Sequence, residues 1–266
     1  MAVAEFARSG DARLFFEDAG AGTTVIFIHA GVADSRMWEP QFEAMHDGFR
    51  FIRLDLRGFG RTSLGKKPYA DHDDVLAVMD HLEVKRAVLV VCSMGGATAL
   101  RIARDHPDRV LGLVLIGAGA PGFEPESTYV PPQWSTGVKA FEAGDLERVA
   151  ELEAEIWVVG RGRTADDVDR AVLGLVRAMD VIPLRTEGER EVLRDEPGLE
   201  VVPDFPGPAL VVVGEHDLPQ LIESAEVLAQ ELSDRGPVIM KDTAHLPSLE
   251  KPSAFNELLK GFLDAF

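Results

Sequence analysis

Residues 87–92, AVLVVC, are apolar at every position, so a strand formed there has no side that tolerates water. An uninterrupted run of this length belongs inside a sheet that is covered on both faces. The same kind of run recurs in TVIFIHA (24–30), FRFIRLDL (49–56), RVLGLVLIGA (109–118), PALVVVGEHD (208–217) and GPVIMKDT (236–243), all rich in β-branched or aromatic residues. Between these runs the spacing changes. ADHDDVLAVMDHLEV (70–84) places Val75, Val78, Met79 and Leu82 on one helical stripe. GGATALRIARDH predicts a helix ended by Pro107, and PQLIESAEVLAQEL and SAFNELLKGFLDAF predict two more. Alternating strands and helices specify the α/β class, a mostly parallel sheet with helices on both faces. At the start, AEFARS and RLFFEDA flank Gly10-Asp11, a hairpin signal, so the first strands are expected to run antiparallel.

The alternation breaks between residues 121 and 203. FEAGDLERVAELEAEIWVVG and TADDVDRAVLGLVRAMDVI carry helical patterns with no comparable strand between them. This segment holds 18 acidic and 9 basic residues, a net of −9 within a chain total of 27 − 45 = −18. Half of the charge in under a third of the length suits an exposed helical insertion. The expected organisation is a core formed by 1–120 and 204–266, with 121–203 inserted as a lid.

A surface at −18 repels phosphate backbones and anionic bilayers, so neither nucleic acid nor membrane is an expected partner. No apolar run approaches the roughly 20 residues that span a bilayer. The N-terminal residues lack a basic start followed by an apolar block, so no signal peptide is expected. A single cysteine excludes an internal disulfide and fits the reducing cytoplasm. There is no H-x-x-x-H pair, no cysteine cluster and no phosphate-binding glycine loop, so neither a metal nor a cofactor is expected. A small molecule is the expected partner; monomer and homo-oligomer remain open.

The chemistry centres on VVCSMGG (90–96), which falls between a buried strand and a helix. That is the setting of a nucleophile elbow, where a sharp turn lifts a serine hydroxyl above the end of a sheet. Ser93 is the expected nucleophile. Cys92, one residue before the apex, should turn into the fold as a small hydrophobe. The usual elbow reads G-x-S-x-G, and Val91 occupies the first glycine position, where its β-branched side chain should crowd the close approach of helix and strand. A serine hydroxyl needs a base, and the base needs an orienting group. Of seven histidines, His245 in KDTAHLPSLEKP follows the last strand run, and Asp217 in GEHD follows the run before it. The amides of Met94, at a helix start, and Gly31, in FIHAGVADSRMW, are the expected oxyanion donors.

Taken in order, HAG (29–31), Trp38, DLRGFGRTS (55–63), CSMGG (92–96), GEHD (214–217) and AHLPSLEKP (244–252) resemble the α/β-hydrolase family over nearly the whole chain. The resemblance implies an eight-stranded, mostly parallel sheet with a helical cap after the sixth strand. It points to cap-bearing enol-lactonases, small esterases and carbon–carbon bond hydrolases. Trp157 in the insertion and Leu246 beside His245 are candidate substrate contacts, while Trp134 is expected to pack in a loop. His216 is expected to be a bystander, His29 a hydrogen-bonded structural residue, and Asp55 and Arg57 loop-fixing residues. The functional expectation is a serine hydrolase acting on a small, mostly apolar ester or lactone. Carbon–carbon bond hydrolysis by the same residues, or ligand binding on an inert hydrolase scaffold, are the alternatives.

Overall fold

The computed structural model describes residues 2–44, 48–193, 205–233 and 235–266. The Gly10-Asp11 turn joins β1 (Val3–Ser9) to β2 (Ala12–Gly20), and the two pair antiparallel, as expected. β3 (Thr23–Ile28) leads through α1 (Glu39–Ala44) to β4 (Phe49–Leu54). α2 (Asp71–His81), β5 (Ala87–Cys92), α3 (Met94–Asp105) and β6 (Val110–Ile116) continue the alternation. The eight strands take the order β1-β2-β4-β3-β5-β6-β7-β8, and every pairing from β4 onward is parallel.

All six residues of β5 are buried, and the two-residue period of a strand divides them between two cores. Ala87, Leu89 and Val91 enter a core with Ile28, Val75, Ala99 and Leu100, on the side that carries α2 and α3. Val88, Val90 and Cys92 enter the other, with Phe27, Trp38 and Phe255. Trp38 is fully enclosed, its ring centroid 5.2 Å from that of Phe27. The parallel order also brings the carboxyl ends of β3, β5, β6 and β7 to one edge, where open α/β sheets bind ligands.

Between β6 and β7 (Ala209–Gly214) the chain leaves the sheet for α4 (Trp134–Glu142), α5 (Leu146–Ala154) and α6 (Arg170–Leu184), with α5 packed against both of the others. FEAGDLERVAELEAEIWVVG, whose pattern reads as helical, forms the end of α4 and all of α5, broken at Gly144, which has φ +74°, and widens into a π turn at Glu155–Val159. Trp134 opens α4 instead of packing in a loop, and half of it is exposed. The expected end of the insertion, at 203, lies outside the described residues. α7 (Pro219–Leu232), β8 (Val238–Met240), α8 (Pro247–Glu250) and α9 (Pro252–Leu263) complete the fold. No helix among the described residues is long and apolar enough to cross a membrane.

Candidate active site

Ser93 is the single residue between β5 and α3, and its backbone stands at φ 51°, ψ −113°. A non-glycine residue held there costs about 1–3 kcal/mol and persists only where its surroundings enforce it. The Ser93 amide donates to the Ile116 carbonyl at 2.8 Å, and its own carbonyl accepts from Gly96 N at 2.7 Å. A side chain at residue 95 would meet the Ile28 carbonyl oxygen at 2.9 Å, so only glycine lets α3 seat this close to the end of β3. The tight approaches at the head of α3 belong to Gly95 and Gly96. Val91, the residue expected to crowd this approach, is fully buried in the core that also holds Ile28, Ala99 and Leu100.

His245 follows β8, and its Nδ1 lies 2.9 Å from Asp217 Oδ2 and 3.1 Å from Oδ1. Both side chains are buried. Asp217 Oδ1 also accepts from Leu218 N at 2.7 Å, which fixes the carboxylate. An Nδ1–H donated to Asp217 leaves Nε2 as the nitrogen with a free lone pair. Gly117 closes the space beneath this pair, since a Cβ there would fall 2.9 Å from His245 Nδ1 and 3.2 Å from Asp217 Oδ2.

A clamp not anticipated from the sequence holds the His245 loop. Glu250 Oε1 accepts from the amides of Ala244 (2.9 Å) and Leu246 (3.3 Å), on either side of His245. Its Oε2 pairs with Arg163 at 2.7 Å, and Arg163 reaches back to the Val158 and Val159 carbonyls of the insertion. The signal was the spacing of Glu250 in AHLPSLEKP, which has this meaning only once α8 turns the chain back.

Gly31 and Met94 sit together at the cavity floor, with Met94 Sδ 3.8 Å from where a Gly31 Cβ would stand. The turn carrying Gly31 is closed by Ala33 N donating to Ala30 O at 3.1 Å. His29 braces it: Leu56 N donates to Nε2 at 3.0 Å, so Nδ1 carries the proton and donates to Ala30 O at 2.8 Å. Burial, its largest influence, holds the His29 pKa below the usual imidazole value. His29 is therefore structural, as expected.

Ser93, His245, Gly31 and Met94 border one cavity of about 550 Å³. That size suits a small molecule. Its far wall is the insertion, including Trp134, Val138, Phe141 and Trp157. The Trp157 ring lies 4.5 Å from the imidazole of His245. Leu246, a candidate substrate contact, is fully buried in the core below the insertion and packs there instead of on the cavity wall. The α-helical sequence pattern also hid a charged feature of this wall. Glu153 of α5 and Asp180 of α6 both border the cavity, and their carboxyl groups lie close enough to influence each other's protonation. Burial, followed by the charge of Glu153, pushes the Asp180 pKa up to about 9, while Arg190 opposes the rise. Burial raises the pKa of Glu153 as well.

The remaining candidates take local roles. Cys92 Sγ donates to the His245 carbonyl at 3.6 Å, and burial pushes its thiol pKa well up, which disfavours the thiolate. His216 Nδ1 lies 2.9 Å from the Arg161 carbonyl oxygen, away from Asp217's partner. Asp55 accepts from Ser35 N and Arg61 N, both at 2.8 Å, and Arg57 grips Asp74 bidentately at 2.6 and 2.9 Å. Asp74, in the first turn of α2, is thus a buried ion-pair partner. At the surface, donor atoms of Glu215, His216 and Asp242 fall within 4.8 Å of one another. Asp242 is held by Lys251 at 3.0 Å, and its amide donates to Glu215.

The family model for the alpha/beta hydrolase fold matches residues 23–158. The chain belongs to the α/β-hydrolase family. Within it, an AB hydrolase superfamily protein of Bacillus subtilis is 28% identical over 94% of both chains. A pimeloyl-[acyl-carrier protein] methyl ester esterase of Pectobacterium atrosepticum is 26% identical, covering 96% of this chain and all of its own. The crystal structure of an enol-lactonase from Burkholderia xenovorans superposes with a TM-score of 0.79 at 27% identity, over 97% of this α/β hydrolase and 99% of that chain.

Proposed function

We propose that this α/β hydrolase cleaves small, uncharged esters or lactones through an acyl-enzyme on Ser93. The observation that carries the reading is the strained Ser93 apex opening into the same cavity as His245, whose Nδ1 is hydrogen-bonded to buried Asp217. Ser93 Oγ attacks the carbonyl carbon while His245 Nε2 takes its proton. Asp217 holds the imidazole tautomer and supports the charge that develops on it. The amides of Gly31 and Met94 receive the oxyanion, and Met94 gains from heading a helix whose first N–H groups have no partner in the helix. His245 then protonates the leaving alcohol, and water activated by the same imidazole releases the acid. No step requires a cofactor.

Residues 121–203 act in this reading as the lid that sets substrate size, and the carboxyl-rich wall favours uncharged substrates. We place the enzyme in the cytoplasm, where its lone buried Cys92 stays reduced. A fluorophosphonate probe followed by peptide mass spectrometry tests the reading. Modification of Ser93, with turnover of p-nitrophenyl esters of graded chain length, supports it. A folded protein that neither labels nor turns over any ester points instead to a binding role on the hydrolase scaffold.

A further inference from the structure

The stretch of the insertion that follows its π turn is bonded to both loops of the proposed acid–base pair. Arg161 N donates to the His216 carbonyl at 2.9 Å, and His216 Nδ1 donates in return to the Arg161 carbonyl at 2.9 Å. A carbonyl only accepts, so Nδ1 carries the proton of this ring. His216 directly precedes Asp217, and residue 161 thus holds the Asp217 loop by two bonds. Two residues on, Arg163 holds the His245 loop: its guanidinium meets Glu250 Oε2 at 2.7 Å and the Asp242 carbonyl at 2.8 Å. Glu250 in turn accepts from the amides on either side of His245.

Gly160 passes between the two loops. At φ +72°, a Cβ there would fall 2.6 Å from the His216 carbonyl oxygen and 2.5 Å from the Ala244 Cβ, so only glycine fits. Earlier in the same stretch, the Trp157 carbonyl accepts from His245 N itself at 3.0 Å. The opposite end of the insertion is fastened differently, since α4 buries none of its residues. Arg163 and Glu250 are buried side chains, 7% and 6% exposed. A buried ion pair adds little net stability over an apolar pair of its size, whereas a guanidinium fork fixes direction. Such a pair is suited to holding geometry.

We propose that residues 157–163 of the insertion form a strap that sets the His245–Asp217 hydrogen bond, with Arg163 and His216 as its positioning residues. Neither borders the cavity, so both act through the loops they hold. The Asp217 and His245 loops lie 28 residues apart in the chain, and they also meet directly where His216 N donates to the Thr243 carbonyl at 2.8 Å. The strap adds a second fastening on the insertion side. It makes the alignment of the imidazole depend on the insertion being seated. This inference rests on reading His245 as the base and Asp217 as its orienting group, and it deepens that reading.

Two measurements on the full chain separate the strap from the reading it rests on. The downfield proton resonance of the His245 Nδ1–H bonded to Asp217, assigned by its loss in His245→Gln, needs no turnover. Steady-state kinetics with p-nitrophenyl acetate supply kcat and KM, and melting temperatures report folding. In His216→Ala and Arg163→Met the resonance is expected to shift upfield or broaden. With it, kcat should fall by about tenfold or more while KM changes by less than about twofold. His216→Asn returns an N–H donor close to the place of Nδ1 and should restore most of both signals. Arg163→Met leaves Glu250 buried without its partner; should that variant not fold, the partly exposed His216 variants carry the test alone. Folded variants that keep the wild-type resonance and kcat overturn the strap, however far their melting temperatures fall. A loss of kcat with the resonance unmoved, or a loss that His216→Asn fails to restore, overturns it as well. Absence of the resonance from wild type removes the hydrogen bond and both claims with it. A wild type whose resonance responds to the variants, but which neither labels with fluorophosphonate nor turns over, counts against the hydrolytic reading alone.

Discussion

The backbone amide of His245 donates to the carbonyl of Trp157 at 3.0 Å, and the Trp157 ring leans over the imidazole at 4.5 Å. The inserted helices and the loop carrying the proposed base therefore position each other. Trp157→Ala keeps the backbone bond but frees the ring, and should lower kcat by about tenfold, since small displacements of a base cost that much or more. Trp157→Phe should restore most of the loss. Steady-state kinetics with p-nitrophenyl acetate, together with melting temperatures, provide the check; an unchanged kcat in the alanine variant would separate the ring from the chemistry.

Removing the proposed nucleophile or base should be far more severe. Ser93→Ala and His245→Ala are each expected to cut kcat/KM by roughly 10⁴–10⁶-fold, because residues of such a unit act together. Cys92→Ala should stay within about threefold, since a buried thiol contributes packing and one weak hydrogen bond. A dead, folded Cys92→Ala beside an active Ser93→Ala would reverse the assignment.

Val91→Gly tests the unusual elbow. Val91 is fully buried between the sheet and α3, so its removal should destabilise the protein by about 2–4 kcal/mol through lost burial and added chain freedom. The Ser93 turn is enforced by Ile116, Gly95 and Gly96, so the labelling rate with fluorophosphonate should change by less than about threefold. A glycine variant that labels when wild type does not would mark the natural elbow as degenerate.

Asp180 makes stability depend on pH with a definite sign. Its pKa rises from the ordinary carboxylate range to about 9 on folding. Below about pH 4 both states are protonated, and the group is neutral with respect to folding. As pH rises towards 9 the unfolded chain loses the proton while the folded chain keeps it, so stability falls. Asp180→Asn does not titrate and can still donate to Glu153. Its melting temperature should match wild type near pH 4 and exceed it by about 5 °C at pH 8. A gap that shrinks with rising pH would contradict the buried, protonated carboxyl.

Charge should also be visible in substrate preference. With Glu142, Glu153, Asp180 and Glu187 at the cavity and −18 overall, neutral p-nitrophenyl esters should exceed carboxylate-bearing esters of equal size in kcat/KM by about tenfold at low salt. The long-range part of this gap should narrow at high ionic strength. Preference for the anionic ester, weakening with salt, would require a cationic pocket. Arg163 is committed to Glu250 and to backbone carbonyls.

The strand and helix order was legible from period alone, because burial on both faces of β5 leaves no polar position and an amphipathic helix must repeat every 3.6 residues. Ser93, Asp217 and His245 were legible for a related reason: in a parallel α/β sheet the ends of strands converge on one edge, so residues distant in the chain can be placed by topology. Other features had no such rule. Trp134 stands in a proline-flanked stretch whose local pattern cannot say whether it opens a helix, and Leu246 adjoins His245 in sequence while pointing into a separate core. The Glu250–Arg163 clamp and the Glu153–Asp180 pair join residues 87 and 27 positions apart on different elements. Sequence alone determined which segments become the strands and helices of the sheet-bearing core, because those choices follow from local periodicity and burial. Only the tertiary structure decided which side chains meet across the insertion and which carboxyl groups lose water, because contact and desolvation depend on how separate elements pack.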